Sequence, residues 1–226
     1  MNIIEVKNLV KTFKDGPIAT RVLKGIGVSV ARGEFVAVMG RSGAGKSTLL
    51  YQLSLLDEPT SGEIRINGKD THTMSEREKM LFRLSEFGYV FQDYALLPEL
   101  TALENVALPL YMQGASRATA EEKARIALER VGLGNHLDNL PSQLSGGEQQ
   151  RVSVSRAIAH KPKILFADEP TANLDRESSD RVINIFEELH VAGQTIMMVT
   201  HEDEYAAIAD RVVKLDDGRI ILSGRV

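Results

Sequence analysis

Three short stretches combine residue types able to handle phosphate. "GRSGAGKST" at 40–48 offers glycines, a lysine and three hydroxyls in the spacing G-x-x-x-x-G-K-[ST]. Such a loop turns its backbone N–H groups inward to cradle phosphates, and the helix that follows adds a favourable N-terminal field. Within it, Gly40, Arg41, Ser42, Gly43, Ala44 and Gly45 form the turn. Lys46 is placed to reach the β- and γ-phosphates, Ser47 to bind Mg²⁺, and Thr48 continues the helix start. "KILFADEP" at 163–170 ends an apolar run in two carboxylates. Asp168 is placed to hold Mg²⁺ through its water shell, and Glu169 to orient or deprotonate an attacking water. Taken alone, an Asp-Glu pair before proline is more often a turn; beside a phosphate loop the catalytic reading is the better one. "LSGGEQQR" at 144–151 is a second cradle, with Ser145, Gly146, Gly147 and Glu148 opening a charged helical run. A chain of 226 residues thus carries two phosphate-ready helix starts.

Two further residues end apolar runs in the same way, Gln92 in "VFQD" and His201 in "MMVTHED". The Gln92 amide suits a metal and a water, and His201 a γ-phosphate, although a solvated loop glutamine and a structural histidine account for either residue alone. Phe13 in "KTFKDG" offers a ring for adenine, although by spacing alone ordinary core packing is the better account of it.

The elements that must position these residues are legible from periodicity. "IIEVKNLV", "TRVLKGIGVSV" and "EFVAVMG" read as strands, and the last runs straight into the glycine loop and the helical "KSTLLYQLSLL". "SGEIRING" and "FGYVFQ" add short strands. From Gln92 the pattern turns helical through "TALENVALPLYMQG", "TAEEKARIALERVGL" and "SGGEQQRVSVSRAIAH". Strand-like runs return with "KILFAD", "TIMMVTH" and "RVVKLDDGRII", separated by the helix "SSDRVINIFEELHVAG". Buried β-runs alternating with helices argue an α/β fold with a mainly parallel sheet. The expected organisation is one domain over 1–226, with an α/β core at 1–92 and 158–226, an antiparallel N-terminal β subdomain, and an inserted helical subdomain at 93–157.

Composition excludes several classes. The chain is 43% hydrophobic and 26% charged with net charge −4, so nothing points to a general attraction for nucleic acid. It has no cysteine, which excludes disulfides and thiolate metal sites and fits a reducing compartment. The N-terminus lacks the apolar core of a signal peptide, and the apolar runs fall short of the roughly 18–20 residues that span a bilayer. The sequence given ends soon after its last strand, so no large C-terminal regulatory domain is expected.

Taken in order, these stretches resemble the ATP-binding subunit of ABC transporters over essentially the whole chain. They are aromatic Phe13, Walker A at 40–48, Q-loop Gln92, signature "LSGGE" at 144–148, Walker B "ILFADE" at 164–169, D-loop "NLD" at 173–175 and switch His201. The resemblance implies a P-loop ATPase using ATP and Mg²⁺, with Glu169, His201 and Gln92 catalytic and Ser47, Gln92 and Asp168 at the metal. It also implies a head-to-tail homodimer, each ATP lying between the Walker A of one chain and the signature of the other, with Asp175 at that interface. The second cradle is then for a partner's nucleotide. A transmembrane permease subunit would contact the region after Gln92, placing the chain on the cytoplasmic face of a membrane that it does not itself cross. Two departures stand out: Glu148 where the family most often has Gln, and Phe13 where Tyr is usual. The first is expected to tune affinity, and the second keeps the stacking face.

Within the family, "LLPELTALENVALPL" is similar to the lipoprotein-releasing and macrolide-exporter ATPases, and "GRSGAGKSTLL" and "QLSGGEQQRV" also resemble the cell-division ATPase FtsE. A soluble ABC ATPase of DNA repair or translation is less favoured, because this acidic chain shows neither a long coiled coil nor a second ATPase domain. A generic P-loop kinase or GTPase fails on the signature and on the absence of N-K-x-D.

Overall fold

The computed structural model describes residues 1–225. In chain order the elements are β1 (Asn2–Asp15), β2 (Ile18–Ala31), β3 (Phe35–Gly40), α1 (Lys46–Leu53), β4 (Ser61–Ile66), β5 (Lys69–Asp70), α2 (Glu76–Glu86) and β6 (Phe87–Val90). There follow α3 (Ala102–Met112), α4 (Arg117–Arg130), α5 (Gly146–Ile158), β7 (Ile164–Asp168), α6 (Arg176–Val191), β8 (Thr195–Val199), α7 (Asp203–Ala206), β9 (Arg211–Asp216) and β10 (Arg219–Arg225). The chain forms two compact units, one of residues 1–81 with the segment from 193 onward, the other of residues 82–192.

The first unit contains the antiparallel sheet β2-β1-β4-β5. Along β1, Ile4 and Val6 are buried while Glu5 and Lys7 face water, the alternation of a half-buried strand. The same unit holds β3 between β8 and β9, parallel to both, with β10 antiparallel to β9. Phe35, Val36, Ala37 and Val38 of β3 and all of β8 are buried, the continuous apolar runs expected of parallel strands covered on both faces.

In the second unit β6 runs parallel to β7, and α3, α4 and α5 pack on one another. The helical periodicity is explained by what is buried: Ala120, Ala124, Ala127 and Leu128 on α4, and Val182, Ile183, Phe186 and Leu189 on α6. Helix α6 stops at Ala192 because Gly193, at φ 89°, takes the left-handed conformation that ends a helix at little steric cost. Phe87 stands edge-on to both Phe82 and Phe166, joining α2 and β6 to β7.

Helix α2 carries no apolar stripe, since Phe82 is its one buried residue, and so escapes a periodicity reading. Its signal is a capping box. The Ser75 N–H donates to Glu78 Oε2 (2.8 Å) and the Glu78 N–H donates back to Ser75 Oγ (3.3 Å), the S-x-x-E arrangement that satisfies two orphan donors.

His160 gives the second unit an acid sensitivity. Its Nε2 lies 2.9 Å from the Phe87 carbonyl, and burial pushes the imidazole below its ordinary value of 6.5. The folded pKa is therefore below the unfolded one. Stability is complete above about pH 6.5 and declines as the unfolded chain takes up the proton below it. Replacing His160 with Gln, which keeps a donor for Phe87 without titrating, is expected to flatten that decline in a Tm-against-pH series.

Candidate functional site

In the first unit, β3 delivers the chain at Gly40 to an arch that closes onto α1. A Cβ at Gly40 would lie 2.3 Å from the Leu215 carbonyl oxygen, so the strand can leave the sheet here only without a side chain. Gly45, at φ 97°, sits where a Cβ would be 3.0 Å from Leu23 Cδ2 and 3.3 Å from the Val22 carbonyl, which seats the loop directly on β2. Lys46 is 7% exposed, and its ammonium donates to the Gly40 (3.0 Å) and Arg41 (3.3 Å) carbonyls, spanning the arch from the inside. Arg41, Ser42 and Gly43 are exposed along the arch, Ala44 is buried beneath it, and Ser47 and Thr48 are half-buried in the first turn of α1. Gly45 caps α1 with no side-chain hydrogen bond, and the first turn carries the positive end of the helix dipole.

His201 leaves β8 beside this arch. Val38 of β3 is in register with Val199 of β8, and the Thr200 N–H donates to the Val38 carbonyl. Gly40 and His201 thus each emerge two residues past one register pair, at the same carboxyl edge. Thr200 Oγ1 accepts from the Glu202 N–H (3.1 Å) and fixes the turn that carries the exposed imidazole. Phe13, near the end of β1, is 47% exposed, so its ring is not core packing.

In the second unit, all five residues of β7 are buried and Asp168 closes the strand at 5% exposure. Glu169 follows at φ 45°, a left-handed conformation that costs a non-glycine residue of order 1 kcal/mol or more and concentrates at functional sites. Val90 of β6 is in register with Ala167, so Gln92 leaves the same edge as Asp168 and Glu169. Asn173 Nδ2 donates to the Gln92 carbonyl (3.2 Å), tying the turn after β7 to the turn after β6.

The signature stretch folds as a capped helix start. The Ser145 N–H and Oγ–H both donate to Glu148 Oε2 (2.8 Å each), and the Glu148 N–H donates to Ser145 Oγ (3.3 Å). These bonds, the backbone one foremost, hold the Glu148 carboxyl below the usual carboxylate range, and His136, its Nε2 3.8 Å away, acts in the same sense. The carboxylate is thereby spent on closing the box. A Cβ on Gly146 would lie 2.9 Å from the Tyr94 hydroxyl, and one on Gly147 would lie 2.5 Å from Ser178 Oγ. Ser178 in turn donates through its N–H and Oγ to the Asp175 carboxylate (2.9 Å each), so Asp175 serves as the N-cap of α6. The two signature glycines are what allow α5 to lie against both segments.

The family model described as "ABC transporter" matches residues 23–172. The chain belongs to the ABC transporter family. It is an ABC ATPase cassette, α/β in class with an antiparallel N-terminal sheet. The cassette is 45% identical to the lipoprotein-releasing system ATP-binding protein LolD of Aquifex aeolicus, over 97% of this chain and 96% of that one. It is 47% identical to the macrolide export ATP-binding/permease protein MacB of Aggregatibacter actinomycetemcomitans, over 98% of this chain but 34% of that longer protein. Among solved structures, a dimeric post-hydrolysis state of an ATP-binding cassette bound to ADP and Pi superposes with a TM-score of 0.92 at 36% identity, covering 98% of both chains.

Two residues of the cassette that the motif reading passed over join its loops. Gln150, fully buried on α5, donates through Nε2 to the Pro170 carbonyl (2.8 Å) and the Phe91 carbonyl (3.4 Å). Arg156, one turn and a half further along, donates to the Tyr94 (2.8 Å) and Ala95 (2.5 Å) carbonyls. Tyr94 and Ala95 both have positive φ (60° and 51°), and the guanidinium pins that strained turn. No apolar stripe signals Gln150 and Arg156: residues 150–155 are consecutively buried, and four of these, Gln150, Arg151, Ser153 and Ser155, are polar.

Proposed function

We propose that this cassette powers a membrane complex by closing head to tail on a second copy of itself over two ATP molecules. One observation carries the reading: the chain builds two separate phosphate-ready helix starts, at Gly45–Lys46 and at Ser145–Gly146, one in each compact unit. The likeness to a dimeric cassette bound to ADP and Pi supports it.

In this reading Lys46 and the amides of 40–48 hold the phosphates, and Phe13 stacks on adenine. Glu169 takes the proton from the attacking water, which Gln92 and His201 orient for in-line attack. Ser145, Gly146, Gly147 and the box-closing Glu148 face the γ-phosphate of the partner's ATP, with Asp175 beside them. Ser47, Gln92 and Asp168 offer a hydroxyl, an amide oxygen and one carboxylate. That hard-oxygen set suits Mg²⁺ held largely by phosphate and water. When bound, the ion supplies charge neutralisation at the phosphate oxygens. Loss of the γ-phosphate releases Ser145, and the dimer opens. The 93–157 segment is the helical signature subdomain, and the region after Gln92 receives a permease subunit at the cytoplasmic face of the membrane. The LolD and MacB relatives point to lipoprotein release or macrolide export as the kind of work driven. No described helix is long and apolar enough to cross a membrane. No nucleic-acid partner is expected.

The test uses Glu169→Gln, which retains ATP. Its sedimentation is expected to shift from monomer to dimer on adding ATP with Mg²⁺, and adding Ser145→Ala is expected to weaken that dimer about tenfold, the worth of one charge-assisted hydrogen bond. Equal dimerisation with and without Ser145 would overturn the head-to-tail arrangement. The same variant, purified with ATP from native membranes, is expected to bring a membrane subunit with it, and recovery with soluble proteins alone would remove the permease from the reading.

A further inference from the structure

Phe13 does not stand alone at the end of β1. The Lys11 ammonium lies 4.9 Å from the centroid of its ring, within the range of a cation–π contact. Lys11 is itself immobilised: it pairs with Asp57 Oδ1 (2.7 Å), donates to the Glu58 carbonyl (2.7 Å), and is 12% exposed. Asp57 Oδ2 accepts from Nε2 of Gln52 (2.8 Å), a fully buried residue of α1, the helix that opens at the phosphate loop. The strand is fastened to the same loop beside this pair. The Thr60 N–H donates to the Val10 carbonyl, and the Thr12 N–H donates to Thr60 Oγ1 (2.9 Å). On the other side, Lys11 is in register with Leu23, the residue against which Gly45 of the phosphate loop is seated.

We propose that Lys11 is a positioning residue for the nucleobase: its ammonium backs one face of the Phe13 ring, and its ion pair with Asp57 fixes that ring relative to the phosphate-loop helix, so that the exposed face is held ready to stack on adenine. The inference rests on the ATP-binding reading and on Phe13 as the base contact. An unanchored ring on the exposed end of a strand loses rotamer freedom when a base lands on it, and a ring held in place beforehand does not. The charge behind the ring draws on its π-electrons, which suits the outer face to an electron-rich purine. Phosphates, held by the arch itself, do not sense this arrangement.

The experiment compares steady-state ATP hydrolysis by the full chain and by Lys11→Met, Lys11→Arg and Phe13→Ala, together with inhibition by inorganic tripolyphosphate, which carries no base. Lys11→Met is expected to raise KM for ATP about two- to fivefold, the size of one exposed cation–π contact, with kcat and tripolyphosphate inhibition unchanged. Lys11→Arg, which keeps both the ion pair and a cation on the ring, is expected to restore KM. After Lys11→Met, Asp57 keeps the Gln52 amide and the Glu58 N–H as donors, so the loop retains its anchor. An unchanged KM in Lys11→Met, with KM raised in Phe13→Ala, would overturn the role of Lys11 and leave the stacking ring standing. Tripolyphosphate inhibition weakened in step with KM would also overturn it, since Lys11 would then act on the phosphate arch. An unchanged KM in Phe13→Ala would remove the base contact, and the inference with it.

Discussion

Glu169→Gln is expected to bind ATP as the unaltered cassette does and to hydrolyse it about 10²–10⁴-fold more slowly, the span of general-base effects. Glu169 follows a strand in which every residue is buried, so the position of its backbone is set by β7 and not by a flexible loop. It leaves that strand at φ 45°, which turns the chain sharply after Asp168 and sends the two consecutive side chains in different directions. Asp168 remains 5% exposed at the strand end, while Glu169 is partly open to solvent. In the proposed function one carboxylate holds the cation and the other the water. The Ala172 N–H donates to the Glu169 carbonyl, so the turn is stabilised by backbone and survives the substitution. Glutamine has the same shape and takes up no proton at neutral pH, so in the proposed function the change removes the base and little else. Single-turnover hydrolysis beside equilibrium ATP binding checks the result. Turnover near that of the unaltered chain would remove Glu169 from the role of base.

The second large effect is expected at Lys46. Replacing it with Met should weaken ATP binding about 10²-fold or more, because truncating one partner of a buried, hydrogen-bonded charge pair costs roughly 2–5 kcal/mol. The ammonium is buried and bridges the Gly40 and Arg41 carbonyls. It therefore holds the arch in shape and offers its charge from inside the curve. Methionine fills the volume but satisfies neither carbonyl, so the loop loses its internal tie together with the phosphate contact. Calorimetric titration with ATP measures the affinity. The fold should persist, since the buried β3 and β8 strands beneath the loop do not depend on Lys46. An affinity within threefold of the unaltered cassette would contradict the prediction.

Particular residues show where reading the sequence sufficed. The phosphate arch is local: β3, three glycines and the first turn of α1 lie within a few consecutive residues, and each glycine answers a backbone need in place. The same holds for the capping boxes at Ser145–Glu148 and Thr101–Glu104, where the partners are three residues apart. The box at Ser75–Glu78 is equally legible, whereas α2 shows no apolar periodicity because that helix buries one residue. The strands β3, β7 and β8 declared themselves as apolar runs because parallel strands covered on both faces have no polar side to show.

Other properties lay beyond the sequence because they join residues far apart along it. Spacing alone favoured a core position for Phe13, and only the packed sheet leaves its ring 47% exposed with Lys11 behind it. Lys11 meets Asp57 across 46 positions, Gln150 meets Phe91 across 59, and Arg156 meets Tyr94 across 62. Asp175 has two local bonds as an N-cap, yet the contact of Ser178 with Gly147 depends on how α6 lies against α5. The sequence by itself determined the phosphate arch, the capped helix starts and the apolar strand runs, since those demands fall on backbone torsions and donor types within a few residues. The tertiary structure alone decided which buried polar side chains tie these stretches together, because a side chain's partner is chosen by the packing of whole elements, which no local pattern encodes.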